Sequence, residues 1–186
     1  MAFTKRALAC SALALTSAGV FGATTPTAHA GTAADERRLI NRTDGSRVAV
    51  LSDSLGEGAQ IISLRSPGWQ YKSVKWTYTS NPDESIVIKN VYTGKCLQPS
   101  TAAPKAGDTI VVRTCDGSDA QNWTYRWEET GGAGANWFSI RPKSSPGLAI
   151  TLAVYQGSGS WNTLYLDRDQ NSNDRLWRFL ADGATW

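Results

Sequence analysis

Three tryptophans recur in matching surroundings: Trp76, Trp123 and Trp177, spaced 47 and 54 residues apart. The same series of short apolar runs and glycines precedes each. The middle copy is the clearest. It runs Ile86-Val87-Ile88, Gly94-Lys95-Cys96-Leu97-Gln98, Gly107-Asp108-Thr109-Ile110-Val111-Val112, Cys115, then Gln121-Asn122-Trp123. Ile110 stands thirteen residues before Trp123, and Leu164 stands thirteen before Trp177. Gly94 leads Ile110 by sixteen, and Gly147 leads Leu164 by seventeen. A more worn copy comes first: Leu39-Ile40, Gly45, Val48-Ala49-Val50, Gly58, Ile61 to Leu64 and Trp76. A period near 50 repeated three times describes units that cannot bury their own apolar faces and must share one core.

The runs are short and bounded by Gly, Pro, Asn, Asp and Ser, which is strand-and-turn chemistry. No long apolar segment has helical period. The expected fold is therefore all-β, with about twelve short strands, four to a repeat, closing into a barrel with a hairpin cap. Closure removes the sheet edges that an open sheet must protect. Trp76, Trp123 and Trp177, at equivalent places, are expected in the shared core. So are Ile86, Ile88, Ile110, Val112, Ile140, Ile150, Leu164 and Leu166.

Three strand–Gly–strand–loop–strand units ending in x-x-Trp, with Gln-x-Trp in the middle copy, resemble the ricin B-type lectin repeat. That resemblance implies a β-trefoil of three repeats of about 45–50 residues. The middle copy carries it most fully, in Gly-Lys-Cys-Leu, Gly-Asp-Thr-Ile-Val, Cys-Asp-Gly and Gln-Asn-Trp. The outer copies have Val74-Lys75-Trp76 and Arg175-Leu176-Trp177 instead, without the Cys pair. The repeats fall at about 38–80, 81–130 and 134–181, within a trefoil over 38–181. A weaker likeness, in Ile88-Lys89-Asn90, Cys115-Asp116-Gly117 and Gln121-Asn122-Trp123, is to the ricin-type subunits of cytolethal distending toxins.

The front of the chain is a different kind of sequence. Lys5-Arg6, a small apolar stretch over 7–23 and Ala28-His29-Ala30 read as a secretory signal peptide over 1–30. Residues 31–37 read as a disordered leader. Cleavage would leave 17 basic and 16 acidic residues, so neither a nucleic-acid footprint nor a polybasic membrane patch is present. It would also leave two cysteines, Cys96 and Cys115. An even count in an exported chain argues for a disulfide, and two thiolates without other clustered ligands do not make a zinc site.

The only histidine, His29, leaves with the signal peptide, so no Ser-His-Asp or Cys-His arrangement can be built. The carboxylates sit mostly in turns, as Asp116, Asp119, Asp167, Asp169 and Asp174 do. The expectation is a non-enzyme with no cofactor and no metal, secreted and monomeric, with no membrane span once cleaved. Its expected partner is a glycan or polysaccharide. Loop aromatics can stack on a sugar ring while amides bond its hydroxyls, and the same rings would also suit a barrel end or a protein surface.

In sugar-binding repeats of the ricin type, the resemblance implies an Asp two residues after the first Cys and a stacking aromatic on the following loop. Here that place holds Gln98, with Thr151 and Ala49 as its counterparts in the other copies. Asn122 is the counterpart of the family's Asn. The expected carbohydrate contacts are Gln98 and Asn122, with Thr151, Tyr155 and Trp161 in the third copy. The alternative is a protein-binding trefoil, either a toxin-delivery subunit or an inhibitor of an extracellular enzyme. Its expected surface is Trp69, Tyr71, Trp127 and Trp137.

Overall fold

Each repeat lays down four strands in the same order. The first gives β1 (Arg37–Asn41), β2 (Arg47–Val50), β3 (Ala59–Leu64) and β4 (Lys75–Ser80). The second gives β5 (Ile86–Asn90), β6 (Cys96–Pro99), β7 (Ile110–Arg113) and β8 (Asn122–Trp127). The third gives β9 (Phe138–Pro142), β10 (Leu148–Leu152), β11 (Trp161–Arg168) and β12 (Trp177–Ala181). The structure, a computed structural model, describes residues 35–65, 70–128, 137–153, 161–182 and 184. The signal peptide expected over 1–30 lies outside them. Arg37, assigned to the leader from sequence, instead opens β1, where it pairs with Ala181 and Trp76.

Outer strands of the repeats close a ring. β1 pairs with β4, β4 with β5, β5 with β8, β8 with β9, β9 with β12 and β12 with β1, all antiparallel. The inner strands form hairpins, β2–β3, β6–β7 and β10–β11, that cap one end. β3 joins both β7 and β11, and a Thr109–Tyr165 bridge completes the triangle. A six-stranded barrel under a triangular cap of hairpins is the β-trefoil, as the repeat pattern predicts.

The three tryptophans hold barrel to cap. Trp76, Trp123 and Trp177 are fully buried. Each indole N–H donates to a carbonyl of its own repeat's hairpin: Trp76 to Val48 at 2.9 Å, Trp123 to Leu97 at 3.0 Å, Trp177 to Ile150 at 2.8 Å. A large aromatic buries much apolar surface, and its single polar atom must find a partner there. They share one core with Ile86, Ile88, Ile110, Val112, Ile140, Ile150, Leu164 and Leu166.

Neighbouring repeats are joined just before each tryptophan. Arg42 N donates to Leu176 O (2.9 Å), Val91 N to Lys75 O (3.0 Å) and Lys143 N to Asn122 O (2.9 Å). In two joints an Asn side chain reinforces this: Asn90 Nδ2 reaches Ser73 O at 2.8 Å, and Asn41 Nδ2 reaches Asp174 O at 3.2 Å. Both Asn open tight turns that close on Gly94 (φ 68°) and Gly45 (φ 66°), a left-handed backbone that favours glycine. Pro142 occupies the third place and keeps only the backbone bond. Cys96, at the start of β6, forms a disulfide with Cys115, just beyond β7, with Cα atoms 5.0 Å apart.

Candidate functional site

Val48, Leu97 and Ile150 accept the three indole bonds, so the residues that follow, Ala49, Gln98 and Thr151, are structural equivalents. Opposite them, two residues before each tryptophan, stand Val74, Gln121 and Arg175. The three lobes fill this one location in three ways.

In the second lobe both residues are amides. Buried Gln121 donates from Nε2 to Gln98 Oε1 (3.0 Å) and to Thr114 O (2.9 Å), and its Oε1 accepts from Asp116 N (3.0 Å). These bonds fix both amide orientations. Gln98 is half-buried, its carbonyl is occupied, and its NH2 has no hydrogen bond to a described residue. Glu57, from the first repeat, steadies this corner by accepting from Thr114 N (2.9 Å), Thr114 Oγ1 (2.8 Å) and Lys95 Nζ. The hydrogen bond from Lys95, then those from Thr114, lowers the exposed Glu57 carboxyl from 4.5 to about 2.

The first lobe is apolar there: Ala49 is buried beside Ile62 and Leu64, with Val74 and Tyr71 packed against them. The third lobe uses a cation. Buried Arg175 donates to Arg168 O (2.8 Å), as Gln121 does to Thr114 O, and pairs with Asp167 and Asp174. Thr151, expected to touch sugar, is instead fully buried, and its hydroxyl donates to Ala149 O at 3.1 Å. Packing at the barrel–cap junction leaves it no surface to offer.

The other sequence-named residues are scattered. Asn122 shares no partner with Gln98: its Oδ1 accepts from Asn81 Nδ2 (3.0 Å) and its Nδ2 points to Asp119 Oδ1 (3.4 Å). Trp161 opens β11 with its ring exposed. Tyr155 and Trp69 lie outside the described residues. Trp137, expected on a surface, is buried against Ile40, Leu176 and Leu180, with the Arg42 guanidinium 5.9 Å from its ring centre. Tyr71 is half-buried on the first-lobe cluster.

Trp127 is exposed and has company that sequence reasoning missed. It meets Tyr125 and Phe138 edge-on at the open end of the barrel, where Tyr78 stacks on Phe179. A signal was available: each repeat tryptophan is followed two positions later by an aromatic, Tyr78, Tyr125 and Phe179. With Ile86 and Ser80 these side chains line a pocket of about 130 Å³. Among the described residues, no group of three or more His, Cys, Asp or Glu is placed to hold a metal ion.

Residues 72–166, about half of the chain, match the family described as ricin-type beta-trefoil lectin domain-like. The chain belongs to that family. No curated protein matches the sequence. Among solved structures, this ricin-type trefoil resembles the designed three-fold symmetric protein ThreeFoil, with TM-score 0.67 and 18% identity over 78% of this chain and 98% of that one. It also resembles the Macrolepiota procera ricin B-like lectin in complex with lactose: TM-score 0.62, 15% identity, 81% of this chain, 97% of the other. A third is the cytolethal distending toxin of Actinobacillus actinomycetemcomitans: TM-score 0.65, 14% identity, 82% of this chain, 94% of the other. At these identities the likeness is one of fold.

Proposed function

We propose that this ricin-type trefoil is a secreted, non-catalytic carbohydrate-binding module whose working lobe is the second. The observation that carries this is the Gln121–Gln98 bond. It holds Gln98 rigid, occupies its carbonyl, and leaves its NH2 to donate to a sugar hydroxyl. The first lobe has no polar group at this location, and the third has its hydroxyl buried. A neutral amide is a weaker hydrogen-bonding partner than the carboxylate the family resemblance implies, so affinity in the millimolar range is expected. Trp161 is the exposed ring available for stacking in the third lobe. Secretion rests on the signal-peptide pattern, and the Cys96–Cys115 disulfide fits an oxidising compartment.

The test is a glycan array and polysaccharide pull-down on residues 31–186, beside Gln98→Ala and Trp161→Ala. Specific binding lost in Gln98→Ala supports the reading. A blank screen with correctly folded protein overturns it. N-terminal sequencing of protein recovered from the medium should begin at Gly31. The protein-binding alternative draws support from the likeness in fold to the cytolethal distending toxin; of its expected surface, Trp127 is exposed, while Trp137 is buried and Tyr71 is half-buried.

A further inference from the structure

The aromatic end of the barrel follows from strand pleating. The residue two positions after each repeat tryptophan points to the same side, one step nearer the open end. Those residues are Tyr78, Tyr125 and Phe179, related by the repeat. Ile86 and Phe138 occupy equivalent places on the strands that return from that end. Arg37 has the third such place, but its guanidinium turns to Asp35. Tyr78 and Phe179 stack with centroids 4.7 Å apart, and Phe138 lies 5.8 Å from Phe179. Trp127, two positions beyond Tyr125, stands edge-on to Phe138 at 5.4 Å and to Tyr125 at 5.6 Å.

A ring that merely floors a barrel would be buried. Tyr78, Tyr125 and Trp127 are instead 44%, 39% and 53% exposed around one pocket. Clustered exposed aromatic surface marks a binding site. Size, charge and polarity narrow the guest. A cavity of about 150 Å³ takes a benzene ring, so this pocket of about 130 Å³, open to solvent, seats one six-membered ring part-way. No lining residue is charged, so an ionic ligand would lose water without gaining a partner. Tyr78, Tyr125 and Ser80 contribute three hydroxyls, none hydrogen-bonded to a described residue, each able to donate and accept. A wholly apolar guest would use none of them. A neutral pyranose has both an apolar C–H face and a hydroxyl edge.

We infer that the open end of the barrel is a second saccharide site, taking one neutral pyranose ring on the pseudo-threefold axis, apart from Gln98. This rests on the carbohydrate-binding reading and adds a location to it. The experiment titrates the secreted chain with lactose, maltose, cellobiose and any glycan from the array, read by calorimetry and tryptophan fluorescence. The variants are Trp127→Ala, Trp127→Phe, Tyr125→Ala and Gln98→Ala, each checked by thermal melt. Trp127→Ala and Tyr125→Ala should each weaken one sugar-binding event about tenfold. Trp127→Phe should keep that event by calorimetry while losing its fluorescence signal, and Gln98→Ala should leave it unchanged. Sugar binding lost in Gln98→Ala but untouched by Trp127→Ala overturns the axial site and leaves the lobe reading standing. Wild-type protein that binds no sugar overturns both. Self-association abolished by Trp127→Ala, without sugar binding there, makes this end a contact between copies and overturns the axial site alone.

Discussion

The second and third lobes share a skeleton and differ in chemistry at one location. In both, the residue two before the tryptophan is buried and donates to a carbonyl at the end of the preceding inner strand: Gln121 to Thr114 O, Arg175 to Arg168 O. Gln121 then turns its remaining capacity to Gln98 and Asp116 N. Arg175 turns its remaining donors to Asp167 and Asp174. One lobe thereby presents a neutral amide, and the other closes its charges on themselves. The trefoil fixes where a side chain sits, and the neighbouring residues decide whether anything is left to bind.

The strongest break would come below that difference, in the skeleton the lobes share. Trp76→Ala, Trp123→Ala and Trp177→Ala should each destabilise by about 3–5 kcal/mol, since each removes a fully buried indole and leaves a cavity. Against a total stability of roughly 5–15 kcal/mol, any of the three is severe. Denaturant melts of the set should give similar losses. A much smaller loss at Trp76 would mean the first lobe is not an equal part of the core.

The disulfide belongs to the second lobe alone. Replacing Cys96 and Cys115 together by Ala should cost about 3 kcal/mol in the chain-entropy model. The damage should concentrate beside Thr114 and Asp116, weakening sugar binding at Gln98 more than at the barrel mouth. Equal weakening at both would mean the bridge supports the whole fold rather than its own lobe.

Exchanging the chemistry itself sharpens the comparison. Gln121→Leu should cost about 1–3 kcal/mol, because Asp116 N, Thr114 O and Gln98 Oε1 lose their partner in a part-buried corner. It should abolish binding that depends on Gln98. Gln121→Arg should be worse, though the third lobe holds an arginine there. The places of Asp167 and Asp174 are taken in the second lobe by Arg113 and Ala120, so the new charge would lack the two acids that pair with Arg175. Urea melts of both variants decide this, and a milder effect from the arginine would sink the argument.

Most of the fold was legible because it rests on residues that repeat. Tryptophans, glycines and apolar runs at matching spacing leave few ways to close three units on one core. The equivalence of Ala49, Gln98 and Thr151 was legible for the same reason. Burial was not. Thr151 looks polar and available in sequence, yet it sits where barrel meets cap. Trp137 follows a Gly- and Ala-rich stretch like a loop residue, but it packs under Arg42 on Ile40. Nor does spacing reveal that Glu57, from the first repeat, steadies a corner of the second. Unlike the backbone joints before each tryptophan, this side-chain contact is made at one junction and carries no periodic mark.

That cross-repeat contact gives the smallest effect and the most local one. The Glu57 carboxyl is held near 2 rather than 4.5 by Lys95 and then by Thr114. The folded state therefore favours its ionised form. This contribution is present in full above pH 4.5 and is lost as pH falls towards 2. The group is exposed, so solvent and salt screen it and the change in global stability is slight. The local change is easier to see. Thr114 N donates to this carboxylate, so its amide chemical shift should move with pH in that window. Glu57→Gln should flatten the movement while leaving the fold intact. Gln121 holds the carbonyl of the same Thr114, so acid should also loosen Gln98, while Ala49 and Val74 in the first lobe carry no side chain that titrates. A Thr114 amide that moves identically in wild type and Glu57→Gln would detach Glu57 from the second lobe and leave Gln121 as the only support of Gln98.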